Sequence, residues 1–560
     1  MSETREEYEL VTDKQKELAP LFDRMDKDEE LYFLKPYEMK QLPPNDSKKV
    51  DDVANITLND PLLFATKAIA IIAGAKRQSI VEGDDLTDKQ TTKIEQFTDD
   101  LYYMVNEWLV KRGILSLDSF VNEQVCIRGR IAARACISLN GNTIRPAVLP
   151  LDARQFVYES DQDGMVWGAP IFRRSKAQIK REYGESVQVG SDFAEVVDFW
   201  NAERNIIFVD QRVVKDQPNP YGYPPFVVSV CPIGSSFNTT DAQQHQGESI
   251  FWANRTLWEE KNRCATILQT INILSLFAGL QYESTLGTAA PKSEQSPWKP
   301  RTVHPVEKGG GFRPMPLGDI KNATRLFYSA LETALQRGSL SSVDYGTLTF
   351  PLSAVAISTL TASRDDIFLP RIQAIALFYQ GLTRMVTDQC KGFGRSFRLT
   401  NEGKSNTYSS ADFKGEYTIK YRFFTESKEQ LTANLSIANS AQNFLSGDTI
   451  GREVLKLQDP DGEQAKFLSE QAEKVDEVLF LYRRASSLIT EDKPVEAYIL
   501  AQRIVSVLKQ RQAQGTITNV NELKGATPQP EMAKPAEPMP LVGGGRMRTP
   551  PQEEGVNANV

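Results

Sequence analysis

The sequence predicts an α+β fold that is mainly helical, with several subdomains. Three observations carry this. Long stretches repeat apolar residues at helical spacing, a block from Val125 to Val230 changes to period two with hairpin turns between its strands, and helices then return for most of the remaining chain. A chain of 560 residues also exceeds what one hydrophobic core serves.

Residues 1–60 form an acidic segment, with sixteen Asp/Glu against nine Lys/Arg. Within it, Val11 to Leu31 reads as a charged helix whose narrow apolar face is Leu18, Leu21, Phe22 and Met25, expected to lie solvated at the periphery. Asp60-Pro61 is a helix start: Asp60 caps the orphan amides, and proline in the first turn loses no bond. The helix that follows is apolar nearly all round and is expected to be central. Thr87 to Arg112 is another, with Ile94, Phe97, Leu101, Met104, Val105 and Trp108 in register and Gly113 as its stop.

In the β block, strands Cys126 to Ser138 and Thr143 to Val148 flank Asn140-Gly141, a turn pair suited to positive φ. Phe156 to Tyr158 and Val166-Trp167 flank a second turn, Asp161 to Gly164. Glu195 to Trp200, Ile206 to Val214 and Pro225 to Val230 supply further strands, and Lys176 to Tyr183 a short helix.

The chain is organised around Gly247 to Lys391. Ile250 to Phe277 is one amphipathic rod, with Leu257, Cys264, Ile267, Leu268, Ile271 and Leu274 at helical spacing. Residues 277–318 follow, where Pro291, Pro297, Pro300, Pro305, Pro314, Pro316 and Gly309-Gly310-Gly311 exclude a helix interior. Asp319 caps a second helix, 319–338, with Ile320, Ala323, Phe327, Ala330, Leu331 and Ala334 on one stripe and Gly338 after it. A Ser/Thr/Gly-rich loop occupies 339–365. Arg364-Asp365-Asp366 then opens a long helix along which Phe368, Ile372, Ile375, Tyr379, Leu382 and Val386 recur. Arg395 to Leu399 and Tyr417 to Phe424 are strands, and the segments Lys428 to Phe444, Gly462 to Ile489 and Val495 to Gln512 are helical. Residues 525–560, rich in Pro and Gly, are expected to be disordered.

The net charge of −8 argues against tight binding of nucleic acid through phosphate neutralisation. The five cysteines form no CxxC pair and fit buried small hydrophobes in a reducing compartment. Two histidines, His245 and His304, supply a metal or triad site poorly. There is no signal peptide pattern, and the strongest apolar run, Leu62 to Ala75, is too short for a bilayer and contains Lys67. Asp161-x-Asp163-Gly164 and Asp459-x-Asp461-Gly462 resemble the start of a calcium loop. From Asp161, position twelve is Phe172; from Asp459, Glu470 stands at position twelve, but Gln464 occupies the position that needs glycine. Both are read as turns or helix starts. No GxxxxGK[ST], HExxH or GxSxG is present, so no catalytic, cofactor or metal residue is assigned. Lys292, Lys299, Arg301, Lys308 and Arg313 in the Pro/Gly-rich excursion are read equally as a solvated loop surface and as contacts to DNA or a partner.

The order helix, excursion, helix, pliable loop, long helix resembles that of the portal protein of tailed bacteriophages. Supporting residues are PNPYGYPPFVVSV, Pro218 to Val230, before the first long helix, and Leu445 to Thr449 followed by Val454-Leu455, Asp459-Pro460, Glu463 and Glu470. The resemblance covers Asp60 to Gln512. It implies a portal fold with wing (61–246), first stem helix (247–276), clip (277–318), second stem helix (319–338), tunnel loop (339–365), long wing helix with returning strands (366–425) and helical crown (426–524), assembled as a ring. It further implies a dodecameric homo-oligomer in the virion, built in the host cytoplasm, that passes double-stranded DNA and meets the terminase motor, a tail adaptor, the major capsid protein and the scaffold. In the tunnel loop, Ser341, Ser342, Asp344, Tyr345, Thr347 and Thr349 become candidates to face the DNA. Alternatives are another ring-forming head–tail adaptor, or a carboxylate-based, metal-dependent nuclease.

Overall fold

A computed structural model describes residues 2–41, 48–83, 86–235, 237, 239–276, 280–287, 308–314, 322–340, 354–401, 403–424, 438–441, 444–455, 463, 467, 471, 476–490 and 494–513. The fold is mixed α+β. It divides into two compact units, Met1–Ala465 and Lys466–Val560.

Where one N-terminal helix is expected there are two, α1 (Ser2–Glu17) and α2 (Ala19–Tyr32), broken at Leu18 because Pro20 suits a first turn and not an interior. The anticipated stripe Leu18, Leu21, Phe22 and Met25 is present, but it is buried against the strands β4 to β7 described below, so the helix is not a solvated one. In α3 (Asp60–Ala73), Asn59 takes the cap position without a side-chain bond, and Asp60 instead reaches Lys261. α3 joins the main core through Phe64, Ala65, Ala68 and Ile72, but it is not buried all round, since Leu63 is exposed. Strand β1 (Lys76–Glu82) has no counterpart in the sequence reading. Thr87 caps α4 (Asp88–Val110) in a capping box with Gln90, and Gly113 follows at φ 73°.

Cys126 lies in a helix, α5 (Leu117–Ile127), and not in the expected strand. Ser116 caps that helix, and Gly129 (φ 69°) redirects the chain into β2 (Arg130–Asn140). The hairpin to β3 (Thr143–Leu151) pairs Asn140 with Thr143, so the central pair is Gly141-Asn142. Gly141 has φ 63° and Asn142 does not have positive φ, which fits glycine at the first central position of a type II′ turn. β4 (Phe156–Ser160) and β5 (Met165–Ser175) are joined by an Asx turn: the Asp161 carboxylate accepts from the amides of Asp163 (2.8 Å) and Gly164 (3.0 Å). Ser175 and Gln178 box the start of α6 (Lys176–Tyr183). After β6 (Phe193–Asn201), the expected single strand at 206–214 is two, β7 (Arg204–Val209) and β8 (Arg212–Pro218), turning at Asp210-Gln211 with both φ positive. β9 (Phe226–Val230) completes the block.

The first long helix is α7 (Arg255–Leu276). β10 (Leu280–Glu283) pairs antiparallel with β11 (Gly311–Pro314), so Gly311 opens a strand within a stretch expected to be only loop. α8 (Asn322–Arg337) is the second helix of the pair; its expected cap Asp319 lies outside the described residues. The next helix, α9 (Ala354–Lys391), starts well before Arg364, so the C-terminal part of the expected loop 339–365 is helical. Of its stripe, Phe368, Ile375, Tyr379, Leu382 and Val386 are buried and Ile372 is half-buried against the same core. β12 (Phe397–Asn401), β13 (Lys404–Tyr408) and β14 (Thr418–Phe424) return to the strands already formed. Ser446 then caps a short helical turn, Gly447–Thr449.

One five-stranded sheet has the order β13-β12-β3-β2-β9, parallel between β12 and β3 and otherwise antiparallel. The other is the meander β4-β5-β6-β7-β8, and β1 pairs β14 separately. Phe156, Trp200 and Phe226 fill the space between the sheets. Gly168 belongs there because a Cβ would come within 2.8 Å of the Phe226 ring. The main core gathers α3, α4, α5 and α9 on the first sheet. Separately, in the second unit, α10 (Glu477–Thr490) and α11 (Pro494–Ala513) form an antiparallel hairpin tied by a bidentate Arg511–Asp476 pair at 2.7 and 3.0 Å.

Candidate functional site

The approach to α7 begins with a backbone crossing that only glycine permits. A Cβ on Gly129 would lie 2.0 Å from the Gly247 carbonyl oxygen, and one on Gly247 would lie 2.7 Å from that of Gly129. Both have positive φ, 69° and 68°. This crossing places Glu248, wholly buried, beside Arg24, Arg255 and His245. Arg255 Nη2 donates to Glu248 Oε2 at 2.6 Å, Arg24 Nη1 lies 3.2 Å from the same oxygen, and His245 Nδ1 is 2.7 Å from Oε1. Arg255 also grips Asp28, again wholly buried, through two parallel bonds. Arg24 continues to the carbonyl of Arg128, which itself pairs with Glu29 and Asp152. Two carboxylates and two guanidiniums thus lock α2 to the start of α7.

Burial dominates the electrostatics of this cluster. It lowers the Arg24 guanidinium despite Glu248 and Asp28 beside it. It raises Asp28, outweighing the bonds from Arg255. For Glu248 the opposite holds: desolvation pushes it up, but the Arg255 bond, the Arg24 charge and the His245 bond together bring it below the usual carboxylate value. Such a network costs desolvation and returns orientation, since a bidentate pair has one good geometry.

From there α7 and α8 run antiparallel. Asn254 Nδ2 donates to Leu335 O at 3.0 Å, and Gly338 abuts the Asn254 side chain so closely that a Cβ would sit 2.3 Å from its oxygen. Lys261 bridges toward Glu332 at 4.0 Å and to Asp60 at 3.2 Å. Among the described side chains of α7 the buried ones are Trp258, Asn262, Cys264 and Thr266, a more polar face than the sequence stripe, and Ile267 is exposed at 36%. On α8, Leu331 and Leu335 are buried, while Leu326 and Phe327 stand out at 72% and 51%.

At the other end of the pair, Tyr282 packs on Phe312 across the β10–β11 ribbon with ring centroids 5.2 Å apart. Of the five candidate cations in 277–318, the structure places two. Lys308 is exposed in the turn before β11, and Arg313 on β11 pairs with Glu283 at 3.0 Å. Lys292, Lys299 and Arg301 lie outside the described residues, as do Ser341, Ser342, Asp344, Tyr345, Thr347 and Thr349. The sequence reading missed the buried quartet Arg24, Asp28, Glu248 and Arg255, whose charges look like ordinary surface charges one at a time. It also missed Asn262, Thr266 and Thr270, although their spacing by four was a visible polar stripe.

Among the described residues no group of three or more His, Cys, Asp or Glu is placed to hold a metal ion. No described helix is long and apolar enough to cross a membrane. No protein-family profile matches the chain, and no curated protein does. Among solved structures it is similar to a chain in the virion of the native gene transfer agent (GTA) particle, with 14% identity over 71% of this chain and 89% of that one and a TM-score of 0.36, a likeness too distant to carry a functional conclusion.

Proposed function

We propose that this chain is a portal protein, one subunit of a ring-shaped channel at a single capsid vertex through which double-stranded DNA is packaged and later ejected. One observation carries the reading. The antiparallel pair α7 and α8, whose far ends lead into and out of the excursion, leaves Ile267, Leu326 and Phe327 in solvent in a lone subunit, and α9 adds Leu369 (51%) and Leu377 (59%). Apolar side chains standing out on three successive long helices need a covering surface. A rotated copy of the same chain supplies one to each neighbour until the ring closes.

The chemistry suits passage more than capture. A net charge of −8 provides little phosphate neutralisation, so a moving duplex meets little electrostatic friction. In this reading the excursion 277–318 meets the terminase during packaging and a tail adaptor afterwards, and the wing meets the major capsid protein and the scaffold. The terminase hydrolyses the ATP; this chain is a conduit in the virion, assembled as a dodecamer in the host cytoplasm, with no cofactor of its own. Electron microscopy of the purified protein tests it: rings with a central hole are expected, and a monodisperse monomer at high concentration overturns the reading.

A further inference from the structure

Ala54, Ile56 and Leu58 present alternate backbone N–H groups to α7. Their acceptors are Thr270 Oγ1 at 3.0 Å, Thr266 Oγ1 at 3.0 Å and Asn262 Oδ1 at 2.9 Å. The two periods agree: two residues of extended chain advance about 6.6 Å, and four residues of helix about 6 Å. An antiparallel strand therefore stays in register with the helix for three bonds. The Thr270 hydroxyl donates to Thr266 O at 2.7 Å, which turns its lone pairs toward Ala54. Asn262 and Thr266 are buried, and what they hold is backbone, whatever the side chains of the strand.

The segment between α2 and α3 that carries these amides is described at residues 33–41 and 48–59. None of its described residues is buried. Its internal ties are polar as well, Tyr37 N to Thr57 Oγ1 at 2.8 Å and Met39 N to Asn55 Oδ1 at 3.0 Å. It turns at Leu34 (φ 50°) and Asp52 (φ 59°), both in the left-handed region that non-glycine residues resist. A segment fixed by hydrogen bonds, with little apolar burial, opens without the rest of the fold.

We propose that residues 48–59 are a releasable strap on α7. Closed, the strap fixes α7 against α3, into which it leads at the Asp60–Lys261 ion pair. Open, it frees α7 along Asn262, Thr266 and Thr270 and uncovers a ladder of acceptors spaced for an extended backbone. These three are positioning residues for the helix, and the device is independent of whether the chain forms a portal ring.

Residue-resolved hydrogen exchange on the full-length protein tests it. The amides of Ala54, Ile56 and Leu58 are expected to exchange slowly beside a fast Thr57, yet faster than Ala133 and Ala135 in the core strand β2. The double variant Thr266→Val with Thr270→Val should accelerate Ala54, Ile56 and Leu58 together, about five- to tenfold for each hydrogen bond lost, and leave β2 unchanged. Thr266→Ser with Thr270→Ser should keep the wild-type pattern. The pair Ala54→Cys and Thr270→Cys should oxidise within one chain and abolish the local opening. Equal protection along 53–58, no response to the valine variant, exchange only in step with β2, or a cross-link between copies would each overturn the strap.

Discussion

Arg255 holds Asp28 through two parallel bonds, Nε to Oδ1 at 2.7 Å and Nη2 to Oδ2 at 3.0 Å, although the residues are 227 positions apart. The pair sets the angle at which α7 leaves α2, because a planar fork and a planar carboxylate have one good alignment. Around it the charges balance two against two, with Arg24 and Glu248 completing the set.

Removing one member leaves a net buried charge. Arg255→Met is expected to destabilise the first unit by about 3–5 kcal/mol, the usual loss when a buried pair is broken. Asp28→Leu with Arg255→Met should recover much of that loss. Chemical denaturation of both variants checks this, and a double variant as unstable as the sum of its singles would contradict the account.

The acid limb of stability should carry a contribution from Glu248. Its folded pKa lies below the unfolded value near 4.5. Its stabilisation is therefore fully present above that pH and is lost as pH falls through the lower folded value. Asp28 has the opposite sign: raised in the fold, it costs stability when ionised, and protonation relieves that cost. Melting temperatures of wild type and Glu248→Gln, compared from neutral pH downward, should differ most at neutrality and converge in acid. A constant difference would remove Glu248 from the acid limb.

Much of this was legible from residue spacing, and the misses have physical reasons. The stripe Phe368, Ile372, Ile375, Tyr379, Leu382 and Val386 was read correctly because it faces one core, Ile372 half-buried at its edge and the others buried. The start of the same helix was misplaced by its Ser/Thr-rich composition, which disfavours a helix only locally. Strand β1 was missed because Lys76, Arg77, Gln78 and Ser79 show no apolar alternation; β14 gives it its partner from more than three hundred residues away. The buried quartet was illegible because a charge reads as solvated until its partners are placed. The channel-facing candidates from Ser341 to Thr349 lie outside what the structure describes, whereas Arg313 is placed and its charge is already met by Glu283.

Thiol chemistry offers a third test. Cys126 and Cys390 are pushed to about 12 and Cys231 to about 11, in each case by burial. At pH 8 roughly one Cys126 thiol in ten thousand is then ionised even before access is considered. These three should resist a thiol reagent in the native protein, while all five cysteines react after unfolding in denaturant. Rapid native labelling of Cys126 or Cys390 would contradict the core.

The crossing at Gly129 gives a fourth. Gly129→Ala places a methyl 2.0 Å from the Gly247 carbonyl oxygen at φ 69°, so one of the two crossing segments must shift. Gly113 has a similar φ of 73° but nothing within 4 Å of the new carbon. Gly113→Ala should therefore cost about 1–2 kcal/mol, the left-handed penalty alone, and Gly129→Ala clearly more. Equal losses by thermal unfolding would mean that the crossing is looser than described.

The exposed pair on α8 separates stability from assembly. Leu326 and Phe327 are 72% and 51% exposed, so replacing both by Ser removes little that the lone subunit buries, and its unfolding should shift by no more than about 0.5 kcal/mol, the usual range for surface changes. If a neighbouring copy covers them, the same double variant forfeits about 1.5–3 kcal/mol for each fully buried side chain at every interface. A closed ring multiplies that loss by its number of interfaces, so the oligomer should fall apart while the fold survives. Analytical ultracentrifugation beside far-ultraviolet circular dichroism reads the two quantities separately. An unchanged oligomer with an unchanged fold would show that these side chains meet solvent in the assembled state, and the apolar argument for ring closure through α8 would fail.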